Sequence, residues 1–463
     1  MGDCVMTFQI GGTSNLSKAS AGNEGAAPSV RVAIPPRSLL VLRGAARYTW
    51  QHGIPEPDDF LSDRRLAIIF RRVKGVPDIA MASTPDVDDS ERVETSKGIK
   101  ANDEASVFSA LEAAGNPQLV LFDGFNAEER FGHYVREKLP DAMRILDMQD
   151  FHALRLGRER LIAEDASAGA VASYLPTAFD EDLQRELAAV HRCDVTLAIS
   201  EHEKELLVDT YGLPSWKVVA APFGFDCSSE ELPSYEERRG AMFIGNWRHR
   251  PNRDCAKWLI EKVWPAVRQR LPKLKLSVYG ANQTPEDAAL TQENVGAYVR
   301  GYCRSVEKAM QQHRLLVAPL RYGAGVKGKV LEAMQHGLVV VTTPVGVEGI
   351  APPDEFPGYV VETGAEDPEA FADAIAEALR DPSEWEVRQR RASALLAESF
   401  DATRLEEELR DYLRERWQRL AADRQRDFVG QMLWHSSLRS TQLMAKYIAA
   451  KEQAGTLQQT LDK

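Results

Sequence analysis

Residues 315–349 read LLVAPLRYGAGVKGKVLEAMQHGLVVVTTPVGVEG, and this stretch restricts the fold more than any other part of the chain. Residues 315–318 are short, apolar and followed by Pro319, which predicts a buried strand of a parallel sheet. Gly323, Gly325 and Gly328 let the backbone turn tightly and approach a ligand closely. Residues 326–336 carry apolar side chains at helical spacing, Gly337 ends that helix, and residues 338–342 predict the next strand. The amides opening the helix point beyond the end of the first strand. The unit therefore predicts a phosphate or diphosphate site, with Lys327 or Lys329 adding full charge to the helix dipole. Glycines and lysines alone fit a solvated loop equally well.

The rest of the chain repeats this grammar. From residue 118 onward LVLFD, a helix over 128–138, RILD, a helix from Phe151, a helix around 182–190 and DVTLAIS follow one another. Such βα repetition predicts parallel sheets covered on both faces. The Pro, Gly and acid-rich stretch 221–240 reads as a linker, after which AMFIGN, a helix over 254–270, LKLSVYG, VGAYVRG and a helix near 306–313 lead back to the opening motif. A chain of 463 residues needs two or three cores. Two doubly wound domains, over 76–225 and 240–400, are expected to face each other across a cleft. Helical patterns over 368–379, 383–398 and 402–424, and the amphipathic segment FVGQMLWHSSLRSTQLMAKYIAAKEQ, complete the chain; residues 401–463 are expected to pack across the domain pair.

A net charge of −12 argues against a nucleic-acid coat or a membrane-surface protein, leaving the arginine-rich segment 30–74 as the local exception. There is no transmembrane-length apolar run and no leader pattern. Cys4, Cys193, Cys227, Cys255 and Cys303 are odd in number and lack pairing spacing. A reducing, cytoplasmic location is expected.

GNWRHRPN (residues 245–252), PLRYGAGVKGKVLEAMQHG (319–337) and VVVTTPVGVEG (339–349) resemble the donor-binding signatures of retaining GT-B glycosyltransferases, the family 4-like group 1 enzymes. The resemblance runs from about residue 76 to 420. It implies an α/β fold of two Rossmann-like domains, a nucleotide-sugar donor, an unknown acceptor (glycan, lipid, protein or small molecule) and metal-independent, retaining transfer. The donor would lie against Gly245, Asn246, Gly323, Ala324, Gly325 and Val326. Glu332 matches the second of the family's paired glutamates, expected to bond the donor ribose; the first would fall at Ala324 and is absent, the glycine turn taking its place. Arg248 or Arg250, together with Lys327 or Lys329, would stabilise the leaving diphosphate. FDGFNAEERFG (122–132) and ILDMQDFHALR (145–155) resemble acceptor-side loops, in which Asp150 and His152 follow a strand and His152 would bond the transferred sugar. Ser200, Glu201 and Glu203 read first as a helix cap and opening turn, second as cleft residues. The first strand of this domain is missing from the pattern before PDIAMAST.

Residues 1–75 resemble instead the C-terminal part of an AlkB-like Fe(II)/2-oxoglutarate dioxygenase, a partial double-stranded β-helix, through IPPRSLLVLRGAARYTWQHGIP and RRLAIIFRRV. The resemblance implies His52 as a metal ligand and Arg65 and Arg71 as 2-oxoglutarate contacts. Such a site needs two histidines and a carboxylate. None of the nine histidines is followed two residues later by Asp or Glu, so one ligand of three is present. The alternatives to a glycosyltransferase are therefore a nucleic-acid dioxygenase, completed from outside this sequence, and a non-catalytic nucleotide-sugar-binding protein.

Overall fold

The computed structural model describes residues 4–10, 29–34, 50–52, 68–71, 107, 108, 111, 117–226, 232–363 and 366–461, the first four segments as backbone only. Strands β1 (Cys4–Ile10), β2 (Ser29–Ile34) and β3 (Trp50–His52) form an antiparallel sheet in the order β2-β1-β3.

A five-stranded sheet follows, with β4 (Ile68–Arg71), β5 (Leu119–Asp123), β6 (Met143–Asp147), β7 (Val195–Ala198) and β8 (Val218–Ala220) in sequential order. β5 to β8 are parallel, and β4 lines the edge antiparallel to β5. Its covering helices include α1 (Phe125–Lys138), α2 (His152–Ala163), α3 (Glu181–Arg192) and the short α4 (Glu201–Glu205). The six-stranded sheet of the next domain contains β9 (Ala241–Ile244), β10 (Leu276–Tyr279), β11 (Ala297–Gly301), β12 (Leu315–Ala318), β13 (Val339–Thr342) and β14 (Tyr359–Val360), all parallel. Two Rossmann-like α/β domains are thus present, as the βα repetition predicts; the second is doubly wound, whereas the described strands of the first run in sequential order without a reversal.

Period-two alternation explains why these strands are continuously apolar. Leu315 and Val317 enter one buried cluster with Trp264, Phe371 and Trp385, whereas Leu316 enters the cluster on the opposite face with Met310 and Leu331. Helix α5 (Arg250–Trp258) begins four residues before the predicted start, because Pro251 fits the first turn, and it continues through a π turn at Leu259–Val263. The predicted linker also ends earlier than residue 240. Tyr235 and Arg238 are buried, and the Arg238 guanidinium donates to the carbonyls of Pro233, Met310, His313 and His336. A residue whose charge reads as solvated linker instead ties three chain segments together.

After the second domain the chain returns to the first. The Phe225 amide donates to the Phe400 carbonyl at 2.8 Å and the Ala402 amide to the Phe225 carbonyl at 3.0 Å. Past this crossing α7 (Ala402–Arg426), capped by Asp401, lays Leu413 on Leu119, Leu121, Met143, Ile145 and Val195. Burying that leucine contributes about 2 kcal/mol. Asp194 pins the end of α7: its carboxylate accepts from Arg144 Nε at 2.8 Å and from Arg424 Nε at 2.9 Å. Burial opposes its ionisation, but the two guanidiniums hold it well below the ordinary carboxylate range. The long α8 (Phe428–Leu461) then crosses α1 and α3, burying Trp434.

Candidate active site

The strand order β11-β10-β9-β12-β13-β14 sets β9 beside β12, from which the chain winds outward in both directions. The carboxyl ends of two such strands border a crevice. The segments singled out from sequence leave at these two ends. After β9 come Gly245 and Asn246; a Cβ on Gly245 would lie 2.7 Å from Asn252 Cγ, so glycine is required for this approach. Asn246 Oδ1 accepts from the Arg248 amide and from Asn282 Nδ2, both at 3.0 Å, while Asn252 Nδ2 donates to the Asn246 carbonyl. After β12 the backbone passes through Leu320, whose carbonyl accepts from Thr343 Oγ1 at 2.7 Å, to α6 (Gly328–Gln335), with Lys327 at its N-cap.

The two lysines differ. Lys327 is buried; its Nζ donates to the Gly325 carbonyl at 2.6 Å and lies 3.7 Å from Glu348 Oε2. Burial depresses its pKa. Lys329 is half-buried, donates to Asn252 Oδ1 at 2.5 Å, and burial with Lys327 nearby brings it down to about 8. Two cations and the amides that open α6 are thereby gathered at the switch point, an arrangement suited to a diphosphate. Glu332, one turn further along α6, is half-buried and its pKa is pushed up by burial to about 7.

The loops at the carboxyl ends of β6 and β7 meet this turn from the other domain. Gly325 has φ +68°, and a Cβ there would lie 3.0 Å from Asp150 Cβ and 3.3 Å from Ile199 Cγ2. Ala324 and Val326 are buried, Ala324 in the core cluster of the first domain. Asp150 accepts from Arg155 Nε at 2.6 Å, and its Oδ1 lies 3.1 Å from His152 Nδ1. Glu186 Oε1 lies 3.3 Å from the same nitrogen and accepts from the His152 amide. Burial lowers the His152 pKa, but the Asp150 charge and the Glu186 hydrogen bond outweigh it and raise the ring to about 9. His152 is therefore an imidazolium at neutral pH, able to donate through Nε2. The stability this charge contributes is fully present below about pH 6.5 and is lost as pH rises through about 9. Denaturant midpoints measured from pH 6 to 10 should fall across that window in the parent and change less in His152→Gln; a parent with a flat profile contradicts the assignment.

Ser200 caps α4 by accepting from the Glu203 amide, as its sequence context predicts. Glu203 does more than close a turn. It is 1 % exposed, its Oε1 accepts from the Phe151 amide at 3.1 Å, and its Oε2 is buried without a hydrogen-bond partner. Burial first, then the nearby Asp150 charge, raises it to about 8.

The other cationic candidates sit apart. Arg248 is exposed, and Arg250 is 75 % exposed in its side chain and pairs with Glu159 of α2 at 3.3 Å. Arg65 and the side chains of His52 and Arg71 lie outside the described residues. Among the described residues no group of three or more His, Cys, Asp or Glu side chains is placed to hold a metal ion. Sequence reasoning passed over Arg155, Arg158, Glu186 and Glu348, which hold the site together. Arg155 and Arg158 stand three residues apart on α2, just after Asp150, the one local signal that could have marked them.

Comparison with known proteins agrees with this geometry. Residues 238–381 match the family described as Glycosyl transferases group 1. An uncharacterized 44.6 kDa protein in the cps region of Klebsiella pneumoniae is 28% identical over 174 residues, which is 34% of this chain and 40% of that protein, so the chain matches well under two thirds of this relative's length. Among solved structures, a mutant of S. aureus TarM in complex with Fondaparinux, alpha-GlcNAc-glycerol and UDP aligns with a TM-score of 0.52 at 14% identity, over 67% of this chain and 58% of TarM. Sucrose-phosphate synthase from Thermosynechococcus elongatus aligns with a TM-score of 0.52 at 17% identity, over 67% of this chain and 76% of the synthase. The fold is that of the GT-B glycosyltransferases, and the second domain is similar in sequence to their group 1 family.

Proposed function

We propose that the chain transfers a sugar from a nucleoside diphosphate sugar to an acceptor hydroxyl, with retention at the anomeric carbon and without a metal ion. One observation carries this reading: the lysine-bearing turn leaves the switch point of the second sheet where Asp150 of the first domain packs on Gly325. The diphosphate would lie over the opening amides of α6 with Lys327 and Lys329 on it, Gly245 and Asn246 bordering the nucleotide and Glu332 on the ribose. His152 would donate to a sugar hydroxyl, oriented by Asp150 and Glu186. In the transfer step the bond from the anomeric carbon to the diphosphate oxygen breaks, the acceptor oxygen bonds to that carbon on the same face, and its proton passes to the departing diphosphate oxygen. No protein base is required. The lysines stabilise the charge that grows on the leaving group. Arg248 and Arg250, both exposed, are assigned to the rim of the cleft.

Isothermal titration of the full chain with UDP and GDP tests the donor half. One of them should bind with a dissociation constant below millimolar, and slow hydrolysis of the matching nucleotide sugar should follow, first giving the sugar in the donor's own anomeric configuration. Failure of both nucleotides to bind removes the basis of the proposal, and binding without hydrolysis or transfer favours the non-catalytic alternative. The dioxygenase reading of residues 1–75 has one ligand of three in this sequence, and Fe(II) and 2-oxoglutarate take no part in the proposal. Among the described residues no helix is long and apolar enough to cross a membrane. The described cysteines, Cys193, Cys255 and Cys303, are free and buried, which fits the reducing, cytoplasmic location proposed for the chain.

A further inference from the structure

Helix α8 carries an unpartnered face with a chemistry of its own. One side packs on α1 and α3 through Trp434, and Arg136 donates to the Trp434 and His435 carbonyls. On the other side Phe428 is 77% exposed, Met432 49%, Leu443 68% and Tyr447 63%. Spacings of four residues within each pair and eleven between Met432 and Leu443 bring these side chains onto one stripe of the helix. At 1.5 Å per residue the stripe runs for roughly 28 Å. The exposed side chains thus form two apolar groups on one face, Phe428 with Val429 and Met432, and Leu443 with Met444 and Tyr447, each more than a single scattered residue.

Charge decides what the stripe contacts. Residues 428–451 contain no Asp or Glu, in a chain with 69 of them among 463 residues, and they contain Arg439, Lys446 and Lys451, all exposed. Asp427, just before this stretch, is buried against Lys217 at 2.6 Å. The bulk charge of −12 that disfavours a membrane-surface role is thus reversed on this helix. Arg439 and Lys446 lie three or four residues from Leu443, on the apolar stripe itself. A two-fold pair of α8 helices joined along this stripe would bury these cations of both copies in one interface with no Asp or Glu from residues 428–451 to pair them, which disfavours self-association. Phe428 and Tyr447, the two rings on the stripe, stand nineteen residues and so roughly 28 Å apart, too far to stack successive bases. An interface of phosphates above hydrocarbon satisfies both features.

We propose that the exposed face of α8 is a docking surface for an anionic lipid bilayer, with its apolar side chains at the headgroup boundary and Arg439, Lys446 and Lys451 on lipid phosphates. The helix lies in the plane of the surface and holds the first domain against it. The inference does not depend on the sugar-transfer reading.

Co-sedimentation of the full chain with vesicles tests it. Binding is expected to vesicles of phosphatidylcholine containing phosphatidylglycerol and not to phosphatidylcholine alone, and it should weaken as salt is raised. The triple variant Arg439→Gln, Lys446→Gln, Lys451→Gln should bind the anionic vesicles roughly a hundredfold more weakly. Leu443→Ser with Tyr447→Ser should also release the protein, while nucleotide binding is unchanged in both variants. No sedimentation with anionic vesicles, equal binding of the triple variant, or a dimer in sedimentation velocity that Leu443→Ser with Tyr447→Ser converts to monomer would each overturn the proposal.

Discussion

Lys329→Ala is expected to lower kcat for sugar transfer or donor hydrolysis by about 100- to 1,000-fold, the cost of removing one preorganised donor from a developing anion. Lys327→Ala should be as damaging to turnover and should in addition destabilise the fold. The difference follows from what each ammonium touches. Lys329 is half-buried and bonds Asn252, a side chain that also bonds the Asn246 carbonyl, so its loss leaves a polar crevice that water can fill. Lys327 is buried and bonds the Gly325 carbonyl, so its loss strands a backbone acceptor beside the Glu348 carboxylate. A denaturant midpoint lowered in Lys327→Ala and unchanged in Lys329→Ala, with both inactive, is the expected pair of results. The titration of Lys329 near 8 adds a further sign. UDP affinity should fall as pH rises past about 8 in the parent, and Lys329→Ala should lose that dependence. Full activity in both variants would place the diphosphate elsewhere.

Local patterns carried most of the fold into the sequence. The unit 315–349 was legible because each piece is short-range: a four-residue apolar strand, glycines where the backbone needs positive φ, and Gly337 at φ +74° directly after the helix. Ser200 caps its helix as its context predicts. What the sequence hid is long-range. Glu203 sits where a capping glutamate belongs, and nothing local signals that its second oxygen is buried beside Asp150. Arg238 lies in a polar, proline-rich stretch, yet its partners come from residues 72, 75 and 98 positions away. The π turn at Leu259–Val263 leaves the helical apolar pattern almost intact and so passes unseen. The arginines proposed from GNWRHRPN belong to a motif whose glycine and asparagines shape the crevice, while Arg248 is exposed and Arg250 pairs with Glu159 of the other domain.

Arg158→Ala is expected to cost about 3–5 kcal/mol of stability, the penalty of removing one partner from a buried pair, and to loosen the two domains from each other. Arg158 uses every N–H of its guanidinium. Nε donates to the Val171 carbonyl at 3.1 Å, Nη1 to the Gly323 carbonyl and Glu348 Oε2 at 2.8 Å, and Nη2 to the Ala172 carbonyl at 3.1 Å and Glu348 Oε1 at 2.8 Å. The first of these partners is on its own domain and the Glu348 fork is on the other, so a single side chain spans the cleft wall. Its grip on the Gly323 carbonyl also fixes the turn on which Lys327 and Lys329 are carried. Arg158→Lys keeps the charge but loses the fork, and should recover little of either stability or activity. Glu348→Gln keeps the shape and leaves the guanidinium without its counterion, so it should fall between the parent and Arg158→Ala. Two measurements separate a clasp from a merely buried pair. Denaturant unfolding reads the stability, and small-angle scattering reads the spacing of the domains, which should widen in Arg158→Ala and stay near the parent's once a nucleotide that bridges the cleft is added. A variant within about half a kcal/mol of the parent and unchanged in size would show that apolar contacts such as Gly325 on Ile199, rather than this arginine, hold the domains together.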